Sequence, residues 1–309
     1  MPSNDTEWMI PVALILGVES VLWAIAFGAG IAPAPPVLAY IPFFAPGPVL
    51  VMAYKAVRAA RQRELASFQA RIGPALIGAI MLLFGFGLLT AFKTAIPAVN
   101  PFWLDRSLID LDRAVFGTDP WRISHAFLGS ATPAIDLFYV LWFPAQSIVL
   151  CAVLFMQPSE HKTRALISYA LFWILLGIAA AVSLSSVGPI FFDRLTGSNE
   201  FAGLRDIHAP AAKRMSDLLW AAYTTNSTIV GNGISAMPSL HVAIAAWMAL
   251  AVRKRMMWLY VAAIWVASVH LGWHYASDGL AGIVGAIVIW RIAPRLALQF
   301  RGKFRVATA

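Results

Sequence analysis

Cysteine is nearly absent from this chain. Among 309 residues there is only Cys151, set inside an apolar run; this excludes an intrachain disulfide and a cysteine-cluster metal site and leaves the thiol as a small packing group. Charge is scarce too: 12% of residues are Asp, Glu, Lys or Arg, against 60% hydrophobic, with a mean hydropathy of +0.73. Soluble domains carry about twice that charge and roughly 45 to 50% apolar residues. The chain therefore reads as an integral membrane protein, and its net charge of +8 reports orientation in a bilayer rather than nucleic-acid binding. Internal repeats, low-complexity tracts and a soluble domain are all lacking. No basic residue precedes the first apolar run and no small-residue cleavage site stands out, so that run is read as a retained span.

Apolar runs are what the chain has in abundance, near 8–31, 35–54, 73–96, 134–156, 165–187, 237–252, 256–276 and 278–294. A helix crosses a bilayer in about 20 residues, which predicts an all-α, polytopic membrane helix bundle of about eight spans. Pro35, Pro36, Pro42, Pro46 and Pro48 interrupt the second run, so a kinked or re-entrant segment is expected there. Lys and Arg collect in cytoplasmic loops. Fifteen of the 23 basic residues fall at 55–71, 157–164, 253–255 and beyond 290; with eight spans these stretches share one side, which places both termini in the cytoplasm. The long connections 97–133 and 188–236 then face outward. Loops of that length are functional or disordered, and their Trp and Pro residues favour amphipathic pieces at the interface. The expected organisation is an N-terminal part, 1–72, of spans and a cytoplasmic basic loop, followed by a catalytic membrane domain over 73–309.

Two short stretches carry chemistry. One is Gly233-Ile234-Ser235-Ala236-Met237-Pro238-Ser239-Leu240-His241; the other, one apolar run later, is His270-Leu271-Gly272-Trp273-His274-Tyr275-Ala276-Ser277-Asp278. Ionisable groups at the ends of membrane runs are costly and mark functional sites. His270, His274 and Asp278 follow one another at four-residue intervals, which predicts one stripe of a helix. Pro238 and Ser239 ahead of His241 predict a helix start whose amides suit phosphate oxygens. A carboxylate that orients an imidazole makes it a nucleophile toward phosphorus, and a second imidazole can protonate the leaving alkoxide. His274 with Asp278 suits the first role and His241 the second. His125, His161 and His208 are read as satisfied interface histidines, and Asp110, Asp112 and Asp119 as helix caps or ion-pair partners. Glu19 and Asp136 stand out as acids within or beside spans.

Pro238-Ser239-Leu240-His241 and His274-Tyr275-x-x-Asp278 resemble the second and third signature motifs of the type 2 phosphatidic acid phosphatase superfamily. The resemblance covers about 235–282. It implies that family's helical core, a nucleophilic His274, an orienting Asp278, a proton-donating His241 and no metal or other cofactor. Leu240 replaces the usual glycine, and Ser268 and Ala267 stand where arginine and serine are expected. A first motif of lysine, six-residue gap and arginine-proline is not found. These departures, with Pro-Ser-Leu-His-Val-Ala, Asp112-Arg113-Ala114-Val115-Phe116-Gly117, Asp119-Pro120-Trp121 and Gly188-Pro189, resemble the inositolphosphotransferase branch, which includes inositolphosphorylceramide synthases. The phosphate charge is then expected to meet His270, Ser239 and the outer-loop cations Arg194, Lys213, Arg214 or Arg205.

The expected activity is cleavage of a lipid phosphate ester through a phosphohistidine, with transfer to water, an alcohol or inositol. The partners are the bilayer and its lipids, without nucleic acid. The location is a bacterial inner membrane with the site on the periplasmic side. Two other classes fit the same histidines: a metal-dependent membrane hydrolase with His270, His274 and Asp278 as ligands, and a lipid transporter or flippase with a histidine proton relay.

Overall fold

The structure is a computed structural model that describes residues 6–225, 227, 229, 231 and 233–301. Residues 1–5 and the tail with Lys303 and Arg305 lie outside the described residues, which contain helices and no strand.

Helix α1 is Met9–Gly28. The proline-rich second run is broken as its sequence predicts: a 3-10 turn Val37–Tyr40 and one helical turn Ile41–Phe44 lead into α2, Pro46–Arg61. The basic stretch expected to be a loop is largely helical, because only residues 62–64 separate α2 from α3, Leu65–Val99. At about 1.5 Å per residue, the 35 residues of α3 reach roughly 50 Å, well beyond a hydrocarbon core. The two long connections form α4, Asp105–Phe116, α5, Pro120–Leu128, α9, Pro189–Thr196, and α10, Pro210–Thr224. Between them run α6, Thr132–Val140, α7, Trp142–Leu154, and α8, Glu160–Phe172, which continues as a π-helical stretch Trp173–Ala180. The chain ends with α11, Leu240–Val252, α12, Met257–His270, and α13, Ala276–Arg301.

Five of the described helical stretches are long and apolar enough to cross a membrane: Met9–Gly28, Leu65–Val99, Pro120–Leu154, Glu160–Ser183 and Ala276–Leu296. Leu240–Val252 and Met257–His270 are shorter apolar helices. α11 is the centre of the bundle and packs on α8, α12 and α13. Its residues Val242 to Ala249 are all buried, and four of those eight are alanine. Small residues let membrane helices approach closely, where van der Waals contact replaces the missing hydrophobic drive between lipid-soluble surfaces. Gly282 of α13 shows how close: a Cβ there would lie 2.5 Å from the Ser239 carbonyl oxygen. α1 packs on α3 and α8, and α2 on α7.

A second, smaller core gathers Leu108, Ile109, Trp121, Phe191, Phe201, Leu204 and Tyr275. It belongs to the helices of the long connections, here called the cap. Buried aspartates tie the cap together. Asp105 accepts from Val187 N, Gly188 N and the Tyr275 hydroxyl; Asp112 accepts from Ala276 N and Ser277 N at the start of α13; Asp136 accepts from Ala211 N and Ala212 N at the start of α10. Each supplies acceptors that a helix start or irregular loop lacks by itself. Asp119 pairs with Arg113 and Arg122, and Asp110 with Arg106. The capping and pairing roles expected for Asp110, Asp112 and Asp119 are the ones they occupy.

Candidate active site

The site lies where the cap meets the bundle. Ser239 is the N-cap of α11, its hydroxyl accepting from Val242 N at 3.4 Å and its amide donating to the Asp278 carbonyl. The Met237–Pro238 peptide just before it is cis. Val242 N is thus filled by the cap and Ala243 N by the Ser239 carbonyl, which leaves the amides of Leu240 and His241 as the helix's first donors. Ser239, a candidate phosphate ligand, is fully buried with its hydroxyl engaged in this cap.

His241 sits half-buried in the first turn of α11. Its ring lies between Trp142 at 4.2 Å, Tyr139 at 5.0 Å, stacked, and Phe143 at 5.8 Å between centroids. The Trp142 indole donates to the His241 carbonyl. The His274 ring is 6.2 Å away.

The stripe expected for His270, His274 and Asp278 does not form. α12 ends at His270, Gly272 takes φ +75°, and α13 starts only at Ala276. That left-handed backbone suits glycine, and the Trp273 and His274 amides fold back onto the Ser268 carbonyl. The turn parts the two histidines. His270 is fully buried, with Nδ1 against Ser124 Oγ at 3.1 Å and Nε2 against Thr132 Oγ1 at 2.8 Å. His125 lies over it, ring centroids 4.2 Å apart, and donates to its carbonyl. Both ring nitrogens of His270 are engaged away from the His241–His274 pair.

His274 is held by two acceptors. Its Nδ1 donates to the Ala236 carbonyl at 2.9 Å and stands 3.4 Å from Asp278 Oδ2. Asp278 is fully buried; Oδ2 accepts from Tyr275 N at 2.8 Å, and Oδ1 meets no donor among the described residues. Ala236 is itself fixed, its amide on the Ser186 carbonyl and the next amide on Ser186 Oγ. Tyr275 donates its hydroxyl to Asp105, and burial beside three carboxylates drives that phenol well above its ordinary pKa. Burial also raises Asp105 and Asp112, against the pull of the N–H donors on each.

The cations expected to grip phosphate, Arg194, Arg205, Lys213 and Arg214, are not brought to this pair. Arg194 pairs with Asp217 at 2.6 Å, and Arg205 with Asp193 at 3.2 Å; both line a separate cavity together with Lys213, while Arg214 is exposed on α10. A different basic residue, Lys93 of α3, lies beside Gly233 in the segment that leads to His241. Gly233 closes onto its backbone, where a Cβ would fall 2.5 Å from the Lys93 carbonyl carbon. Lys93 is not singled out in the sequence analysis, yet Asn100-Pro101 follows it after six residues, a spacing that resembles the first signature motif with asparagine at the arginine position. Asn100 donates to the Val182 carbonyl. The other arginine position, Ser268, is likewise inward, its hydroxyl on the Trp265 carbonyl.

A polytopic bundle with two histidines, a buried carboxylate and a helix start at its rim defines a membrane protein of the phosphatase type. A family model for the PAP2 superfamily, the type 2 phosphatidic acid phosphatases, matches residues 106–292. The chain belongs to the PAP2 superfamily, whose members are in general phosphatases and phosphotransferases. Comparison with curated proteins and with solved structures gave no match.

Proposed function

We propose that this membrane protein is a lipid phosphatase or phosphotransferase in which His274 attacks the phosphorus of a lipid phosphate ester. One observation carries the reading: the 2.9 Å contact from His274 Nδ1 to the Ala236 carbonyl. A carbonyl only accepts, so Nδ1 holds the proton and the lone pair lies on Nε2. As Nε2 bonds to phosphorus the ring becomes cationic, and Asp278 at 3.4 Å stabilises that charge. His241 gives its proton to the leaving alkoxide as the P–O bond breaks. Its aromatic walls, Tyr139, Trp142 and Phe143, hold the ring in place. In the second half, water or an alcohol yields a proton to His241 and takes the phosphoryl group from His274.

Lys93 and the amides of Leu240 and His241 meet the charge on phosphate, in place of the family's two arginine positions, here Asn100 and Ser268. That substitution, with Leu240 in the Pro-Ser-Leu-His motif, supports an inositolphosphotransferase-like acceptor reaction. The distribution of Lys and Arg supports a site on the outer face, with both termini inside, and the motif positions support a catalytic domain over 73–309.

The test is incubation of purified protein with phosphatidate, a polyprenyl pyrophosphate, phosphatidylinositol and ceramide, with products identified by mass spectrometry. A product lipid and radiolabelled protein are expected from the native chain. Neither is expected from His274→Ala, and turnover retained in that variant overturns the scheme.

A further inference from the structure

Of two cavities near the site, the larger is not the one that holds His274. Beside His274, between Asp112, Trp121 and Phe201, there is room of only about 10 Å³. Across Pro189 and Phe201, which line both spaces, lies a cavity of about 310 Å³. Ligand pockets begin near that size.

Its lining has two characters. Three cations reach it, Arg194 from α9, Arg205 from the 201–209 segment and Lys213 from α10, against one carboxylate, Asp193. Arg194 and Arg205 are already paired, with Asp217 and with Asp193 and Asn199. The Lys213 ammonium is exposed and meets no acidic side chain among the described residues. The floor is apolar and joins the two cores of the molecule: Phe201 and Leu204 belong to the cap core, Ala209 and Ala212 to the bundle core. The cavity thus opens at the seam between cap and bundle, the level at which lipid headgroups lie beside a membrane protein. Leu195, Met215 and Leu218 on the same two helices stay exposed, which suits hydrocarbon at the mouth better than bulk water.

We propose that this cavity binds the headgroup of an anionic membrane lipid, with Lys213 and Arg205 on the phosphate and the apolar floor under the glycerol. It is a second anion site, separate from His241 and His274. Its wall is continuous with the catalytic turn, since Ile190 N donates to the Gly272 carbonyl and a Cβ at Gly272 would strike the Leu204 side chain. The site stands on the cavity alone and does not depend on the transfer chemistry.

The test uses the full chain carrying His274→Ala, so that turnover does not consume the probe, in phosphatidylcholine nanodiscs titrated with phosphatidylglycerol. Bound lipid is counted by native mass spectrometry. Each basic charge near a membrane surface contributes about fivefold in affinity. Lys213→Gln is expected to weaken phosphatidylglycerol binding about fivefold and Lys213→Glu further, with unchanged elution in gel filtration. The combined Arg253→Gln, Lys254→Gln, Arg255→Gln variant, at the far end of α11, is expected to bind normally. Equal loss in that far-end variant would reduce the effect to bulk charge and overturn the site. Unchanged binding in Lys213→Glu overturns it too. Displacement of the lipid by glycerol 3-phosphate, dependent on Lys213, assigns the cavity to a soluble anion and overturns the lipid assignment.

Discussion

The bundle and the cap hold themselves together by different means. In the bundle, α8, α11 and α13 satisfy their own backbones, so the core is apolar side chains at close range: alanines on α11, glycine at 282, and indoles such as Trp247, whose N–H finds the Ala165 carbonyl. In the cap, short helices start repeatedly and the chain between them is irregular. Its amides need acceptors from elsewhere, and Asp105, Asp112, Asp136 and Asp193 provide them, across 165 residues in the longest span between the α4 carboxylate and α13. A methyl group more or less is what the bundle feels; a carboxylate more or less is what the cap feels. The His241–His274 pair draws on both, because His241 rides on a bundle helix and His274 on a turn whose next helix is capped by Asp112.

The largest effect should separate chemistry from architecture. His274→Ala is expected to lower product formation by about 10³-fold or more, while the proteolysis patterns of cap and bundle stay as in the native protein. Next comes the cap. Asp112→Ala leaves the Ala276 and Ser277 amides buried without acceptors; two charge-assisted bonds lost should destabilise the cap by about 2–4 kcal/mol. Cleavage within 105–128 by added protease should quicken and turnover should fall, with helical circular dichroism nearly unchanged. A global loss of helix would show that cap and bundle are one cooperative unit and would break the comparison.

In the bundle, Gly282→Leu drives a side chain into the Ser239 carbonyl and should cost about 1–3 kcal/mol, seen as a lower thermal midpoint in detergent together with reduced turnover. Ile244→Val, at a fully buried position of α11, should cost about 0.5–1.5 kcal/mol and leave turnover unaltered. The smallest effect is with pH. Burial raises Asp105 and Asp112, so the folded cap holds their protons more tightly than the unfolded chain does. Its stability is then fully present below the ordinary carboxylate range and declines as pH rises through the raised values. Protease protection of 105–128, compared between native protein and Asp105→Asn, measures that slope; the variant should be flatter.

How much of this was legible in the sequence depends on how local the cause is. The helices follow from runs of apolar residues and their prolines, as the broken stretch from Val37 to Phe44 shows. His241, His274 and Asp278 stand out because a short motif keeps them at fixed spacing, and the Ser239 cap is written in the two residues before His241. Lys93 was missed because its companion is Asn100 rather than arginine, and a pattern read strictly passes over it. His270 was grouped with His274 because helical spacing runs through Gly272 on paper; a glycine with φ +75° ends the helix there instead. Arg194 and Arg205 were taken for a phosphate grip because nothing in the order of residues tells that Asp217 and Asp193 reach them first.

By itself the sequence determined that the chain is an all-helical membrane protein and which two motifs carry its ionisable groups, since hydrophobicity and helix capping act over a few neighbouring residues. The tertiary structure alone decided which of those groups meet. Whether Lys93 lies against Gly233, whether His270 turns to Ser124 and Thr132, and whether three cations surround a cavity instead of a phosphate at His274 are set by contacts between elements far apart in the chain, where packing and buried hydrogen bonds select one partner from many.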